Sequence, residues 1–390
     1  MLLAATPGIY SAEAGSIPQT RVVRTPNGGI QPQTAMDSGG TLHLIYFTGD
    51  AGAGDIEYVR RPAGSSEFPR PIRVNSQAGS AVATGTVRGP QMAVSPEGRV
   101  YVVWFGSKDA QPRGPGGATP ILFSRLNEAG TAFEPQRCLM QFAKGVDGGL
   151  SVAAGGNGYV YVVWHAEGDE PGEAHRRVYL ARSTDQGKTF AREIAISPPE
   201  LGACGCCGMR ATTDTQDRVY VFYRAAAENV DRDMTLLVSS YHGVSFRPMR
   251  VGPWKLNACP MSTASLYAFG GRMAAAWETE GQIHFDEFGA WERDRQINPD
   301  QAIPQSLART VSPPGSPGNR KHPAIAVNGL GWVLLSWTEG TGWMKGGSLA
   351  WQMYDPSLKP VGAEGHAEGV PVWGLPSDFA DRQGNFTILY

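Results

Sequence analysis

An excess of charge of either sign is missing from this sequence. Lys and Arg number 34 against 36 Asp and Glu, a formal net charge of −2. No basic run or basic amphipathic stretch concentrates the positive charge, so nucleic acid is not an expected partner, nor is an anionic membrane surface. Long hydrophobic runs are missing too. The apolar residues come in short bursts such as Val100-Tyr101-Val102-Val103-Trp104, far below the roughly 20 residues of a transmembrane helix. Common catalytic signatures are absent: there is no G-x-G-x-x-G on a strand–helix turn, no P-loop, no H-E-x-x-H and no G-x-S-x-G. Cysteine is scarce, with five in 390 residues. The stretch from Met1 to Gly8 lacks a basic n-region, and its apolar run is too short for a whole signal peptide. It reads as the trimmed end of one, and a periplasmic or extracellular location is the expectation.

What is abundant is glycine and proline, 50 and 29 residues. Both punctuate elements rather than extend them, which argues against long helices. One pattern recurs between them: a turn residue, an alternating apolar strand, then an aromatic. Its copies run Gly40 to Tyr46, Gly98 to Trp104, Gly158 to Trp164, Asp217 to Tyr223, Gly271 to Trp277, Gly331 to Trp337 and Gly384 to Tyr390. A spacing of about 57 residues suits a four-stranded propeller blade.

The expected fold is therefore all-β, a single seven-bladed β-propeller over residues 1–390. The expected blades span 31–76, 88–142, 147–198, 207–252, 260–299 and 322–363, with a split blade of 8–26 and 376–390. In each, a strand A precedes the pattern, the pattern is strand B, and strands C and D follow. The last copy ends the chain after strand B, so the N-terminal region is expected to supply strand C (Ile9 to Ala12) and strand D (Gln19 to Arg24). Such closure removes open sheet edges. Gly49 to Asp55 reads as a flexible loop between strands B and C, since it lacks the alternating oxygen ligands of a calcium loop.

Between strands C and D of one repeat lies Ser183-Thr184-Asp185-Gln186-Gly187-Lys188-Thr189-Phe190, which fits S-x-D-x-G-x-[ST]-[WF]. Ser239 to Phe246 is a degenerate copy, and Asn127 to Phe133 a looser one. In these residues the chain resembles the BNR/Asp-box, sialidase-like propeller superfamily. The resemblance implies architecture more than activity, because the box is a folding element.

Phasing the repeat tells where chemistry would gather. Residues just before each strand A and just after each strand B share one axial face. Cys204, Cys206 and Cys207 precede strand A of the fourth blade, Cys259 and Met261 that of the fifth, and His322 that of the sixth. Thiolate, thioether and imidazole form a soft ligand set suited to copper, or to zinc. The alternative is a disulfide from the Cys-x-Cys-Cys turn to Cys259 in an exported scaffold. The metal reading is preferred, because adjacent Cys206 and Cys207 are awkward for two separate bridges.

On the same face, strand B exits carry His165, Arg224, Glu278 and Glu339, and a charged loop adds Asn229, Arg232 and Asp233. Arg224, Glu278 and Glu339 are the catalytic candidates. The others, with Arg224, are expected to contact a substrate or orient metal ligands. Arg224, ending an apolar strand, needs an anionic partner. The expected ligand is a metal, a small molecule or a glycan on this face. A sialidase-type site would require an arginine cluster, a tyrosine nucleophile paired with a glutamate, and an acid/base aspartate. Arg88, Arg210, Arg224 and Tyr223 do not assemble that set, and Ser16-Ile17-Pro18-Gln19 lacks the arginine of the family's F/Y-R-I-P segment. A glycoside hydrolase or glycan binder is the alternative function.

Overall fold

A computed structural model describes residues 17–288 and 310–390. Seven small sheets are arranged as blades in chain order. Five have four strands with each neighbour antiparallel and consecutive in sequence; in blade three, for example, Leu150–Ala154, Val160–Ala166, Arg177–Ser183 and Ile194–Ala195 run from strand A to strand D. Blade five has Ser265–Phe269, Arg272–Thr279 and Gln282–Phe288, with Val311 bridged to Phe285 in the fourth position. No helix among the described residues is long and apolar enough to cross a membrane.

The alternation along strand B explains why blades stack. In Val100–Phe105 every residue is buried. Val100, Val102 and Trp104 face blade one, while Tyr101, Val103 and Phe105 face blade three. A strand covered on both faces reads as a continuous apolar run rather than as alternation with polar residues. The same division repeats at each junction, giving seven apolar clusters, one between every pair of adjacent blades. The closing aromatics Tyr46, Trp104, Trp164, Tyr223, Trp277, Trp337 and Tyr390 are all buried in these seams.

The Ser183–Phe190 loop shows what its spacing is for. Asp185 accepts hydrogen bonds from the Ser183 hydroxyl (2.7 Å), the Thr189 amide (2.9 Å) and the Thr189 hydroxyl (2.6 Å). Ser183 Oγ accepts from the Gly187 amide, and Gly187 sits at φ 72°, where a side chain is strained. The loop then delivers Phe190 edge-on to Phe123 of the preceding blade. The looser copy does likewise, sending Phe133 onto Tyr58.

Two expectations are corrected. Gly49 to Asp55 is a tight hairpin, with Gly49 paired to Gly54 and Asp50 to Ala53, so strands B and C of blade one extend into it. The ring does close by joining the two ends of the chain, but Thr20–Val23 is the third strand of blade seven, not the fourth. It lies directly beside Phe386–Leu389 and parallel to it. Its direction is that of a strand D, which must lead into the next strand A, and direct pairing with strand B is therefore parallel. The expected strand C at Ile9 to Ala12 lies outside the described residues.

Candidate functional site

The turn Cys204–Cys207 precedes strand A of blade four and is anchored from three sides. Cys204 N–H donates to the Arg224 carbonyl at 2.9 Å, tying the turn to the end of strand B. Gly148 N–H donates to the Gly205 carbonyl at 2.7 Å, which brings in blade three. Gly205 N–H donates to Glu173 Oε1 at 2.7 Å, and Glu173 Oε2 pairs with Arg232 at 2.8 Å. Gly149, at φ 76°, allows close approach: a Cβ there would fall 2.6 Å from the Cys207 carbonyl oxygen.

Three sulfurs meet inside this turn. Cys204 Sγ lies 3.3 Å from Cys207 Sγ and 3.4 Å from Cys206 Sγ. Cys204 and Cys207 are free thiols, 1% and 3% exposed, and Ala226 packs against them. Cys206 is bonded to Cys259 in a disulfide. The Cys-x-Cys-Cys turn is thus bridged to the neighbouring blade, with two buried thiols left beside the bridge. Cys138 is the remaining free thiol, on strand D of blade two.

The thiol pair is electrostatically unequal. The hydrogen bond Cys204 makes to Cys207, together with burial, holds the Cys204 proton on well above the ordinary thiol range. Burial also opposes ionisation of Cys207. That effect is outweighed by the hydrogen bond from Cys204, the charge of Arg224 and the Ser262 backbone, so Cys207 is the more acidic thiol. Arg224 is 2% exposed. Its guanidinium donates to the carbonyls of Arg232 (2.7 Å) and Glu278 (2.5 Å) and lies 4.9 Å from the Trp254 ring. No carboxylate among the described residues pairs with it, and its charge favours the ionised form of Cys207.

The other candidates spread around the face. His165, 2% exposed, sits beside the turn with neither ring nitrogen in good hydrogen-bond geometry; burial pulls its pKa down to about 3, so it is neutral at pH 7. Asn229 Oδ1 accepts from Ala174 N–H (3.2 Å), and Asp233 pairs with Arg250 (2.6 Å). Glu278 accepts from Gly281 N–H (2.9 Å) through one oxygen, and its buried Oε2 has no partner. Glu339 is held by Arg320 (3.2 Å) and the Trp337 indole (2.9 Å). His322 does not join the sulfurs. Among the described residues, the group of potential ligand atoms lying within 4.8 Å of one another contains Cys204, Cys206 and Cys207 alone. Met261 and His322 line a cavity of about 20 Å³ with Trp343 and Trp373, and His322 Nδ1 lies 3.4 Å from Thr263 Oγ1. A far larger cavity, about 570 Å³, occupies the channel and is lined by the A–B turns of the opposite face.

Sequence reasoning passed over Glu173, which clamps the cysteine turn to Arg232. It lies in a short 3-10 turn inside a B–C loop, and nothing in the composition of that loop distinguishes it from a solvated charge.

No protein-family model matches the sequence, and no curated protein matches it. Solved structures do. One, a protein of unknown function from Dyadobacter fermentans, is 14% identical with a TM-score of 0.54, over 83% of this chain and 94% of its own. Another, the Hadza microbial sialidase Hz136, is 12% identical with a TM-score of 0.50, over 87% of this chain and 74% of its own. At such identities the likeness establishes the fold alone, a β-propeller.

Proposed function

We propose that this propeller binds a soft metal ion, copper(I), at the Cys204–Cys207 turn on its axial face. The observation that carries the reading is the meeting of three sulfurs beside an arginine with no carboxylate partner. Cys204 and Cys207 would hold the ion as thiolates. Two sulfurs suit copper(I) better than zinc, which takes four ligands in its structural sites. Two thiolates and one monovalent cation leave one net negative charge, and the Arg224 guanidinium is the group that balances it. In the bridged state Cys206 contributes no thiolate. A dithiol reductant would supply two electrons and two protons, opening the Cys206–Cys259 bond to two thiols as it becomes a disulfide itself, and Cys206 would then be a third donor.

A bridge of this kind persists in oxidising compartments, which supports an exported protein. Glu339 is engaged by Arg320 and Trp337, Glu278 is held through one oxygen with the other buried, and the cavity beside His322 is too small for a sugar ring. A glycosidase reading on this face gains nothing from the geometry.

The test is metal analysis of protein loaded with copper(I) in the presence of a competing chelator. Stoichiometric copper in the wild type, lost in Cys204→Ser/Cys207→Ser, is the expected result. A wild type that cedes all its copper to the chelator would sink the reading.

A further inference from the structure

Strand A of each blade lines the axis, and the A–B register shows which residues share a level. In every blade one strand A residue pairs with the strand B residue just before the closing aromatic. These residues are Gln33, Gln91, Ser151, Arg210, Ser265, Ala324 and Ser377. All seven line the channel cavity of about 570 Å³, and all but Ala324 are polar. That cavity reaches the A–B turns through Ser38, Pro96, Thr215 and Gly270, so it opens on the face that carries the Ser183–Phe190 loop.

Arg210 is the one charged residue at this level. Its guanidinium donates to the carbonyl of Met209 at 3.0 Å, and no carboxylate among the described residues pairs with it. Arg210 is half-buried and touches the channel; desolvation pulls its pKa down to about 10, which leaves it a cation at neutral pH. A half-buried guanidinium with no carboxylate partner, on the wall of a polar cavity, is free to take a bound counter-charge. Of the acids lining the channel, Asp214 is paired with Arg218, and Asp37 accepts from the Thr41 amide. Asp378, next to Ser377, is 6% exposed; it accepts from Ser336 Oγ at 2.8 Å and has no partner at Oδ2. Burial raises its carboxyl to about 8, so at neutral pH it carries no charge to compete for Arg210, and the residue borders the same cavity. Ser151 Oγ accepts from Ala211 N–H at 2.9 Å, which frees its own proton to donate.

We propose that the channel is an anion site. Arg210, with the hydroxyls and amides of its level, binds a small carboxylate or inorganic oxyanion that enters from the Ser183–Phe190 face. A planar guanidinium suits either, through paired charge-assisted hydrogen bonds. The site does not depend on the copper reading, since none of the sulfurs lines the cavity.

The experiment is calorimetric titration of the whole protein with inorganic phosphate, and separately with two- to four-carbon carboxylates, against chloride at matched ionic strength. Saturable binding in one arm is expected and tells which anion class is taken. Arg210→Gln is expected to weaken it roughly tenfold or more. Ser265→Glu, which gives Arg210 a carboxylate from the adjacent blade, is expected to abolish binding and raise Tm. Absence of saturable binding in both arms of the wild type overturns the proposal. So does unchanged affinity in Arg210→Gln or, should that variant fail to fold, in Ser265→Glu.

Discussion

Cys204 donates its thiol proton to Cys207 across 3.3 Å, and the two sulfurs therefore differ in acidity although they share one turn. Arg224 reinforces the difference. Replacing it with Met is expected to raise the Cys207 pKa, because a nearby cation that favours the thiolate is lost. Thiolate ultraviolet absorbance followed against pH measures this, and Arg224→Lys is expected to recover part of the shift.

Thiol labelling distinguishes the bridge from the free sulfurs. Protein denatured without reductant is expected to be alkylated at Cys138, Cys204 and Cys207 only. With reductant, Cys206 and Cys259 become labelled as well. Peptide mass mapping reads both states, and label on Cys206 without reductant would contradict the pairing.

Asp185 accepts three hydrogen bonds within its own loop, and Phe190 of that loop packs on the preceding blade. Asp185→Ala is expected to cost about 1–2 kcal/mol. Gly187→Ala is expected to cost at least as much, because φ is 72° and the new Cβ would sit 3.0 Å from the Phe123 ring. Denaturant midpoints of the two variants check the size and the order.

The Asp378 carboxyl has a folded pKa of about 8 against an ordinary 3.8. Between those values the folded chain holds a proton that the unfolded chain has released, so this group's contribution to stability falls as pH rises from about 4 to 8. Asp378→Asn is expected to remove that slope and to gain most over the wild type near pH 8. Thermal melts of both proteins between pH 5 and 9 show whether it does.

The blades were legible because the pattern from Gly98 to Trp104 has two physical causes, a turn before strand B and burial of that strand on both faces. Each cause leaves a mark in local sequence. The cysteine arrangement was legible only as a place. Phasing put Cys204, Cys206, Cys207 and Cys259 on one face, but spacing cannot say which sulfur of a three-cysteine turn reaches Cys259. Met261 and His322 occupy equivalent positions before strand A, yet they turn toward Trp343 and Trp373. Both residues have left-handed backbone, φ 46° and 54°, which residue type does not announce. The polar level of the channel was hidden for another reason. Arg210 lies among Gln33, Gln91 and Ser377 only after the strands are aligned by register, far apart as they are in sequence.

Thr20–Val23 runs beside Phe386–Leu389 in the same direction, so the outward ends of the two strands lie at opposite ends of the pair. Tension drawn through residues 19 and 390 therefore slides one strand along the other. The hydrogen bonds Phe386 N–H to Gln19, Tyr390 N–H to Val23 and Thr25 N–H to Tyr390 are loaded together instead of opening one by one. The seam that closes the ring is a clasp that resists pulling along its length and yields to peeling from its edge.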